Sequence, residues 1–437
     1  MRFAPHTDTD VREMLEAIGL SSVDDLYAHI PAEVLLDRPL ALPQSVSEME
    51  LLGDLRELAS RNHHADDLVC FAGGGAYDHY VPAVVWALAA RSELQTSYTP
   101  YQPELSQGVL QALYEYQSMI CDLTALEVSN ASLYDGPTAL VEAVNLARAA
   151  TGRERVLVAG TVDERYVETL RTYGRGAGYV PEVLPGDGVS PVPEVGGDAA
   201  CVVLQHPNAN GGLEPAREVF EAARSAGARA IQVFDPLSLG VLAPPGELGA
   251  DVAVAEGQSL GNHLSLGGPY LGVIAARLED VRRLPGRIAG RTEDEEGNLG
   301  FVLTLQAREQ HIRRAKATSN ICTNQTLMAI AAAIYLGWLG PQGLRELGEA
   351  SAAKARHAAG LLAEIDGVGL AYPEVPFFKE FALRFGSREP SSVRDALLGH
   401  GYLVGPVSGD ALLVACTERR TREEIEGLAR AMKEVLG

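Results

Sequence analysis

The feature that most constrains the fold is an alternation, between about residues 66 and 320, of short apolar runs with amphipathic helical stretches. The runs are rich in β-branched residues and include RVLVAG, AACVVLQ, RAIQVFD, ADVAVAEG and YLGVIAAR. Helical stretches such as PTALVEAVNLARAATG and PAREVFEAARSAG lie between several of them. Fully apolar short strands separated by amphipathic helices predict a mostly parallel sheet covered by helices on both faces. This part of the chain is therefore predicted to be α/β.

The two ends of the chain have different patterns. Residues 1–65 contain short helical stretches that begin at capping residues, which predicts an N-terminal helical arm lying across another surface. Residues 321–437 begin with a long helical stretch and continue with alternating strands and helices, which predicts an interdomain helix and a small C-terminal α+β domain. Residues 66–320 form the predicted large α/β domain.

Charge and composition exclude several classes of protein. The formal net charge of -22 repels phosphate backbones, so we expect no nucleic-acid partner. The sequence contains no run of 18 uncharged apolar residues, and the N-terminus has no apolar signal segment, so we expect a cytoplasmic chain with no membrane span. The five cysteines are scattered and have no zinc-binding spacing, so we expect reduced thiols and no metal site.

Two loops carry candidate binding groups. In CFAGGGAYDHYVP, three glycines allow either a plain tight turn or a close approach of the backbone to a ligand. In TSYTPYQPELSQG, two prolines block a helix and stiffen the loop. Its polar side chains therefore project either into a site or into an aromatic interface, and they include Ser97, Tyr98, Tyr101, Gln102 and Glu104.

Two further candidates lie at the ends of predicted strands and helices. Gly136 and Pro137 begin a helix whose N-terminus suits an anion, but Asp135 opposes a phosphate there, so a plain helix cap is the favoured interpretation. Asp235 ends a strand, at the edge where open α/β sheets bind ligands. Its carboxylate can pair with the pyridinium nitrogen of pyridoxal phosphate, or it can cap the following turn.

Basic residues are concentrated between residues 282 and 316 of this acidic chain. Such a cluster either receives anionic groups and acidic partners or forms a solvated, salt-bridged surface. The eight basic residues are Arg282, Arg283, Arg287, Arg291, Arg308, Arg313, Arg314 and Lys316.

Six phrases of the sequence resemble the P-protein family of the glycine cleavage system. They are YTPYQPELSQG, NASLYDG, EGQSLG, LGGPYLG, PGRIAGRT and REQHIRRAKATSNICTNQ. The resemblance runs from about residue 60 to the C-terminus. In this family the two homologous halves lie either in one chain or in separate subunits, and at 437 residues this chain resembles the separate N-terminal half, the alpha subunit.

The resemblance implies a fold, an activity and partners. The fold would be type I of the pyridoxal-phosphate enzymes, the aspartate aminotransferase type. An oxidoreductase complex, expected to be an alpha2-beta2 heterotetramer, would decarboxylate glycine and pass the aminomethyl group to the lipoyl arm of the H-protein. Pyridoxal phosphate would be bound covalently by the homologous beta subunit, because the family's Schiff-base lysine belongs to the other half.

The lysine content of this chain agrees with that assignment. In the matching stretch the sequence reads Gly257, Gln258, Ser259, so Gln258 or Ser259 falls where the Schiff-base lysine would be. Neither side chain is an amine, and a glutamine cannot form an imine. Only four lysines are present, and none is expected to substitute; Lys379, for example, opens a late strand. Asp235 and Gln258 would then belong to a vestigial cofactor site.

The chain is therefore expected to complete an active site on its partner and to carry no catalytic residue of its own. Two alternatives remain open, namely a self-sufficient pyridoxal-phosphate homodimer and a purely structural or regulatory subunit. The candidate contacts to substrate or to the partner's site are Ser97, Tyr98, Tyr101, Gln102, Asn130, Ser132, Arg313 and Asn320.

Overall fold

A computed structural model describes residues 5–63, 67–95, 100–265, 267–321 and 324–437 of the chain. These residues form two compact units, Met1–His63 and His64–Gly437. The predicted domain boundaries at residues 65 and 320 stay predictions.

The N-terminal unit contains two α-helices, α1 (Asp8–Ala17) and α2 (Glu48–Ala59), with a 3₁₀ turn at Asp24–Tyr27 between them. Each helix begins with a reciprocal capping box, formed by Thr7 with Asp10 for α1 and by Ser47 with Glu50 for α2. These paired side chains satisfy backbone N–H groups at the helix start, which explains why the helices begin there.

The second unit has an α/β architecture with fifteen strands in four sheets among its described residues. Its α-helices are α3 (Ala83–Ala89), α4 (Ser92–Gln95), α5 (Gln107–Thr124), α6 (Gly136–Thr151), α7 (Glu164–Ala177), α8 (Ala216–Ser225), α9 (Pro245–Leu248), α10 (Gln310–Arg313), α11 (Thr326–Ala363), α12 (Pro390–Gly399) and α13 (Arg422–Leu436). Its strands are β1 (Val69–Ala72), β2 (Val128–Ser129), β3 (Arg155–Val158), β4 (Pro181–Val183), β5 (Ala199–His206), β6 (Arg229–Phe234), β7 (Val252–Glu256), β8 (Gly272–Ala276), β9 (Ile288–Glu293), β10 (Leu299–Thr304), β11 (Gly369–Leu370), β12 (Glu380–Arg384), β13 (Tyr402–Gly405), β14 (Val407–Ser408) and β15 (Ala411–Ala415).

The largest sheet has seven strands in the order β2-β8-β7-β6-β5-β3-β4. Strands β4, β3, β5, β6 and β7 run parallel to one another, and β8 is antiparallel to its two neighbours. This arrangement confirms the predicted mostly parallel sheet. It also brings the carboxyl ends of five parallel strands to one edge, where open α/β sheets bind ligands.

Both faces of this sheet are buried, as the uninterrupted apolar runs predict. In β7, Val252 and Val254 belong to the core that also contains residues of α6, α7 and α8. Ala253 and Ala255 belong to the opposite core, with residues of α5 and α11. Because successive side chains of a strand point to opposite faces, a strand covered on both sides must be apolar at every position.

Helix α11 links the two ends of the second unit. The helix has a kink at Gly340, which is followed by Pro341. Its buried apolar residues as far as Leu347 lie in the sheet core, and those from Ala355 onwards lie in the C-terminal core. By length and composition alone the helix could cross a membrane. Its packing in two hydrophobic cores is that of an internal helix of a folded domain.

A second, antiparallel sheet in the order β11-β12-β15-β14 lies near the C-terminus. The short strand β1 pairs in parallel with β13, far along the chain. This pairing fixes the segment that follows β1, from Gly73 to Pro82, beside the C-terminal sheet. The functional consequence is that Tyr77 and His79 lie near β12.

Candidate functional site

The candidate site is a cavity at the carboxyl ends of β5, β6 and β7. Its volume is about 40 Å³, which holds only about three water molecules. Pockets for organic ligands typically measure about 300–1,000 Å³, so this cavity is closed to a molecule of that size. We call it the closed site, and the lining residues used below are Tyr77, Asp235, Glu256, Ser259, Lys379 and Glu380.

An internal ion pair occupies the Asp235 end of the closed site. The ammonium nitrogen of Lys379 lies 2.7 Å from Oδ2 of Asp235 and 3.7 Å from the centre of the Tyr77 ring. Lys379 is only 1% exposed. The other carboxylate oxygen of Asp235 accepts the backbone N–H of Leu237 at 3.1 Å. Asp235 therefore caps the following turn, and its carboxylate is paired with Lys379 of the same chain in the place where a pyridinium nitrogen was considered.

The same lysine is held by a histidine from the β1 segment. Nζ of Lys379 lies 2.9 Å from Nε2 of His79, and Nδ1 of His79 lies 2.6 Å from a carboxylate oxygen of Glu418. Burial and the adjacent Lys379 charge lower the pKa of His79, which favours the neutral ring. A neutral tautomer that donates from Nδ1 to Glu418 and accepts from Lys379 at Nε2 satisfies all three groups.

Glu380 explains the run of three glycines. Its Oε1 accepts the backbone N–H of Gly74 at 2.7 Å, and its Oε2 accepts the Tyr77 hydroxyl at 3.0 Å. A Cβ at Gly73 would collide with the Glu380 carboxylate, and Gly74 adopts a φ of +76°. The glycines thus permit a close backbone approach, but to a side chain of this chain. Burial raises the pKa of Glu380 to about 7, against the opposing effect of these hydrogen bonds.

Gln258, at the position of the family's lysine, is 2% exposed and bound to the chain itself. Its side-chain oxygen accepts the backbone N–H of Tyr77 at 2.8 Å, and its side-chain nitrogen donates to the carbonyl of Asn262 at 2.8 Å. The amide therefore holds two loops together and has no atom that could form an imine.

The N-terminus of α6 lies at the Glu256 end of the closed site. Asp135 caps the helix by accepting the backbone N–H of Thr138 at 2.8 Å, which confirms the predicted cap. Glu256 accepts the backbone N–H groups of Gly136 at 3.1 Å, Gln258 at 3.0 Å and Leu271 at 3.1 Å. A carboxylate of the chain thus occupies the place that suits a bound anion. Desolvation raises the pKa of Glu256 to about 7 despite these bonds.

These residues do not fit pyridoxal phosphate. The helix end that would receive its phosphate holds Glu256, the Asp235 carboxylate holds Lys379, and the residue in the lysine's position is Gln258. The remaining space is too small for the cofactor. A covalent cofactor site on this chain is therefore not supported by its own geometry.

Three predicted candidates lie together elsewhere, in a second group. Tyr101 accepts a hydrogen bond of 2.7 Å from the guanidinium of Arg287, whose centre lies 4.9 Å from the Tyr101 ring. The side chain of Asn130 donates at 2.9 Å to the carbonyl of Pro285, which lies two residues before Arg287. The next residue, Ala131, donates its backbone N–H to the carbonyl of Arg287. Ser132 accepts the side-chain amide of Asn324 at 2.9 Å.

The remaining predicted candidates are exposed or lie outside the described residues. Gln102, Arg313 and Asn320 are exposed. Asn320 lines an open pocket of about 460 Å³ with Arg314 and Glu142. Ser97 and Tyr98 lie outside the described residues.

Sequence reasoning missed most of the closed site. It placed Lys379 at a strand start, which is correct, but did not place it beside Asp235. The available signal was the adjacent charged pair Lys379-Glu380 between the apolar runs FF and FALRF, because two charges at the start of a buried strand require partners. No group of three metal-ligating side chains that could hold an ion occurs among the described residues.

Comparison with known proteins agrees with this geometry. The family model described as glycine cleavage system P-protein matches residues 1–432. The chain belongs to the P-protein family. A relative from Carboxydothermus hydrogenoformans, named probable glycine dehydrogenase (decarboxylating) subunit 1, is 48% identical and covers 100% of this chain and 99% of its own length.

Two solved structures place the P-protein chain among proteins of known fold. A crystal structure of glycine decarboxylase (P-protein) in inhibitor-bound form is 49% identical, covers 100% of both chains and has a TM-score of 0.93. The aspartate aminotransferase of Thermus thermophilus is 19% identical with a TM-score of 0.58, over 84% of this chain and 98% of its own. The chain thus has the predicted type I fold of pyridoxal-phosphate enzymes.

Proposed function

We propose that this chain is subunit 1 of a two-subunit glycine decarboxylase and that its homologous partner binds pyridoxal phosphate covalently. The observation that carries the proposal is the closed site, in which Gln258 replaces the lysine and Lys379 pairs with Asp235. A member of the P-protein family whose own site excludes the cofactor needs a partner that holds it. The expected assembly is an alpha2-beta2 heterotetramer in the cytoplasm.

The proposed reaction is the decarboxylation of glycine and the transfer of its aminomethyl group to the lipoyl arm of the H-protein. The cofactor on the partner would stabilise the charge that decarboxylation generates. This chain would position substrate groups and exclude water from that site. It would supply no nucleophile and no covalent intermediate.

Arg287 is the best-supported contribution of this chain to the partner's site. Arg287 is 3% exposed, and no carboxylate of the described residues lies within ion-pair distance of its guanidinium. Its Nε has no hydrogen-bond partner. A buried cation without a counter-ion is costly, which indicates that an anionic group is supplied from outside the chain. The glycine carboxylate and the cofactor phosphate are the two anions that the reaction offers.

A hydrogen-bonded network connects Arg287 to the other candidates. Nη1 of Arg287 donates to the side-chain oxygen of Asn324 at 3.4 Å, and Asn324 donates to Ser132. Tyr101 covers the guanidinium on another side. Three separate phrases of the P-protein resemblance therefore converge on one arginine, a pattern expected of a site held rigidly for a partner. We propose that the exposed Gln102, Arg313 and Asn320 also contact the partner. Ser97 and Tyr98 lie outside the described residues and stay predictions from the sequence.

A purely structural role is the second candidate. It is favoured by one observation, which is that the Tyr101 hydroxyl already accepts a hydrogen bond from Arg287 within the chain. The two roles differ in their kinetics, because a structural residue affects assembly whereas a site residue affects turnover in an assembled complex.

The experiment that tests the proposal separates the subunits. Each subunit alone and the reconstituted complex are treated with pyridoxal phosphate and borohydride, and the labelled peptides are mapped. We expect a label on the partner only, and glycine-dependent exchange of carbon dioxide only in the complex. A label on Lys379, or exchange by this chain alone, would contradict the proposal and support a self-sufficient homodimer.

A further inference from the structure

Among the charged side chains that line the closed site, Lys379 and Glu256 are of opposite sign. Lys379 contributes an ammonium group at one place, and Glu256 contributes a carboxylate at another. Each contacts a group that suits a bound cofactor, namely the Asp235 carboxylate and the N-terminus of α6. The site therefore keeps the Asp235 carboxylate and the N–H groups at the start of α6, each with a partner of opposite polarity.

We propose that Lys379 and Glu256 are internal substitutes for the two charged ends of pyridoxal phosphate. The Lys379 ammonium takes the place of the pyridinium nitrogen on Asp235, and the Glu256 carboxylate takes the place of the phosphate at the helix N-terminus. The inference rests on the proposed function in one respect, which is that the closed site is treated as a former binding site for the cofactor. It adds that the site is filled from within.

The contacts of Glu256 show what the substitution accomplishes. Its carboxylate satisfies three backbone N–H groups, of Gly136, Gln258 and Leu271, at one corner of the cavity. Without an anion these donors would be left without partners in a nearly closed space. The crowding around Gly136 supports the same point, because a Cβ there would lie 2.8 Å from the backbone nitrogen of Glu256.

The contacts of Lys379 do the same for the opposite charge. Asp235 would be a carboxylate without a cation if the lysine were removed, since Lys379 is its only ion-pair partner among the described residues. His79 and the Tyr77 ring hold the ammonium in place from two other sides. The chain therefore meets the electrostatic demands of a cofactor-type site with its own side chains.

The test is chemical rescue of the full chain by inorganic phosphate. Glu256→Ala should lower the melting temperature of the chain, and added phosphate should restore it. The apparent dissociation constant of phosphate should be at least tenfold lower for this variant than for the unmodified chain. Chloride at the same ionic strength should not restore it. A second variant, Lys379→Ala with Glu256→Ala, removes both side chains that fill the site and should also bind pyridoxal phosphate non-covalently, as measured by equilibrium dialysis.

The matched control is Glu214→Ala. Glu214 is a buried glutamate that also accepts a backbone N–H, from Ser190 at 2.8 Å, but it does not lie at the N-terminus of α6. Its variant should lose stability and gain nothing from phosphate. Phosphate that raises the melting temperature of both variants equally would overturn the inference. So would a folded Glu256→Ala chain whose melting temperature does not change with phosphate.

A variant that does not fold still gives an answer. Glu256→Ala is then refolded in phosphate and in chloride, and recovery in phosphate alone is the same rescue, whereas recovery in neither overturns the inference. None of these readouts uses enzymatic activity. Failure of the proposed function would appear instead in the borohydride map, so the two outcomes are distinguishable.

Discussion

The ammonium nitrogen of Lys379 lies 2.7 Å from a carboxylate oxygen of Asp235, inside a cavity that the lysine helps to close. In the type I fold an aspartate at such a strand end can pair with the ring nitrogen of pyridoxal phosphate. Here the partner is part of the chain. This single relationship explains how a member of a cofactor-dependent family retains a charged site without room for the cofactor.

The first prediction concerns the strength of this ion pair. Lys379→Ala should destabilise the chain by about 3–5 kcal/mol, because it leaves Asp235 without its cation in a mostly buried position. The double variant Lys379→Ala with Asp235→Asn should lose less than the sum of the losses of Lys379→Ala and Asp235→Asn. Urea denaturation of all four chains measures the coupling, and additive losses would show that the pair is not coupled.

The second prediction concerns the group around Arg287. Tyr101→Phe and Tyr98→Phe should lower turnover of the assembled complex, and loss of the Tyr101 hydrogen bond should cost about 1–3 kcal/mol in transition-state stabilisation. Arg287→Lys should have a larger effect because the planar guanidinium is lost. Steady-state kinetics on complexes checked by gel filtration provide the measurement.

The control for this group is Tyr27→Phe, since Tyr27 is also exposed but lies in the N-terminal unit. Its kinetics should not change. If the Tyr98, Tyr101 and Arg287 variants all assemble and turn over normally, the group has a structural role only.

The third prediction is a pH dependence of stability caused by Glu142. Burial raises the pKa of this carboxyl to about 7, from an ordinary value of 4.5, against the effect of a hydrogen bond from Ser319. Because the folded chain binds this proton more tightly, its contribution to stability is complete below about pH 4.5 and is lost as the pH rises through 7. The change amounts to about 3 kcal/mol at most over that window.

Glu142→Gln should remove this dependence. Urea denaturation at pH 5 and at pH 8 measures the unfolding free energy of the variant and of the unmodified chain. The glutamine variant should be more stable relative to the unmodified chain at pH 8 than at pH 5. A difference that is the same at both values would mean that Glu142 does not titrate in this range.

The fourth prediction concerns the H-protein. Of the basic residues between 282 and 316, Arg287 is buried and Arg283 is bonded to Asp280, whereas Arg282, Arg291 and Arg313 are exposed. Charge reversal at Arg282 and Arg291 should raise the apparent Michaelis constant for the H-protein more than that for glycine. Added salt should produce the same shift in the unmodified complex, because exposed charges steer association.

The control is Arg356→Glu, an exposed charge reversal in α11. It should leave both Michaelis constants unchanged. A reaction that depends on neither salt nor the Arg282 and Arg291 reversals would exclude the basic stretch as the docking surface.

Several properties of the chain follow from the sequence alone. The apolar runs predict the parallel sheet because strands buried on both faces need apolar side chains at every position. The cap at Asp135 depends only on residues three positions apart, which are neighbours in any helix start. The sequence itself shows that position 258 holds a glutamine and not a lysine. Each of these conclusions depends only on residues that are close together in the sequence.

The closed site was decided by the tertiary structure. Tyr77 and Glu380 are 303 positions apart and form a hydrogen bond, and His79 and Lys379 are 300 positions apart. Their meeting depends on the pairing of β1 with β13 and on the placement of β12, which no local pattern specifies. The sequence determined that this chain has no lysine in the usual place, but only the packing of distant segments placed Lys379 on Asp235 and Glu256 at the helix end, because charges are paired through space and not along the chain.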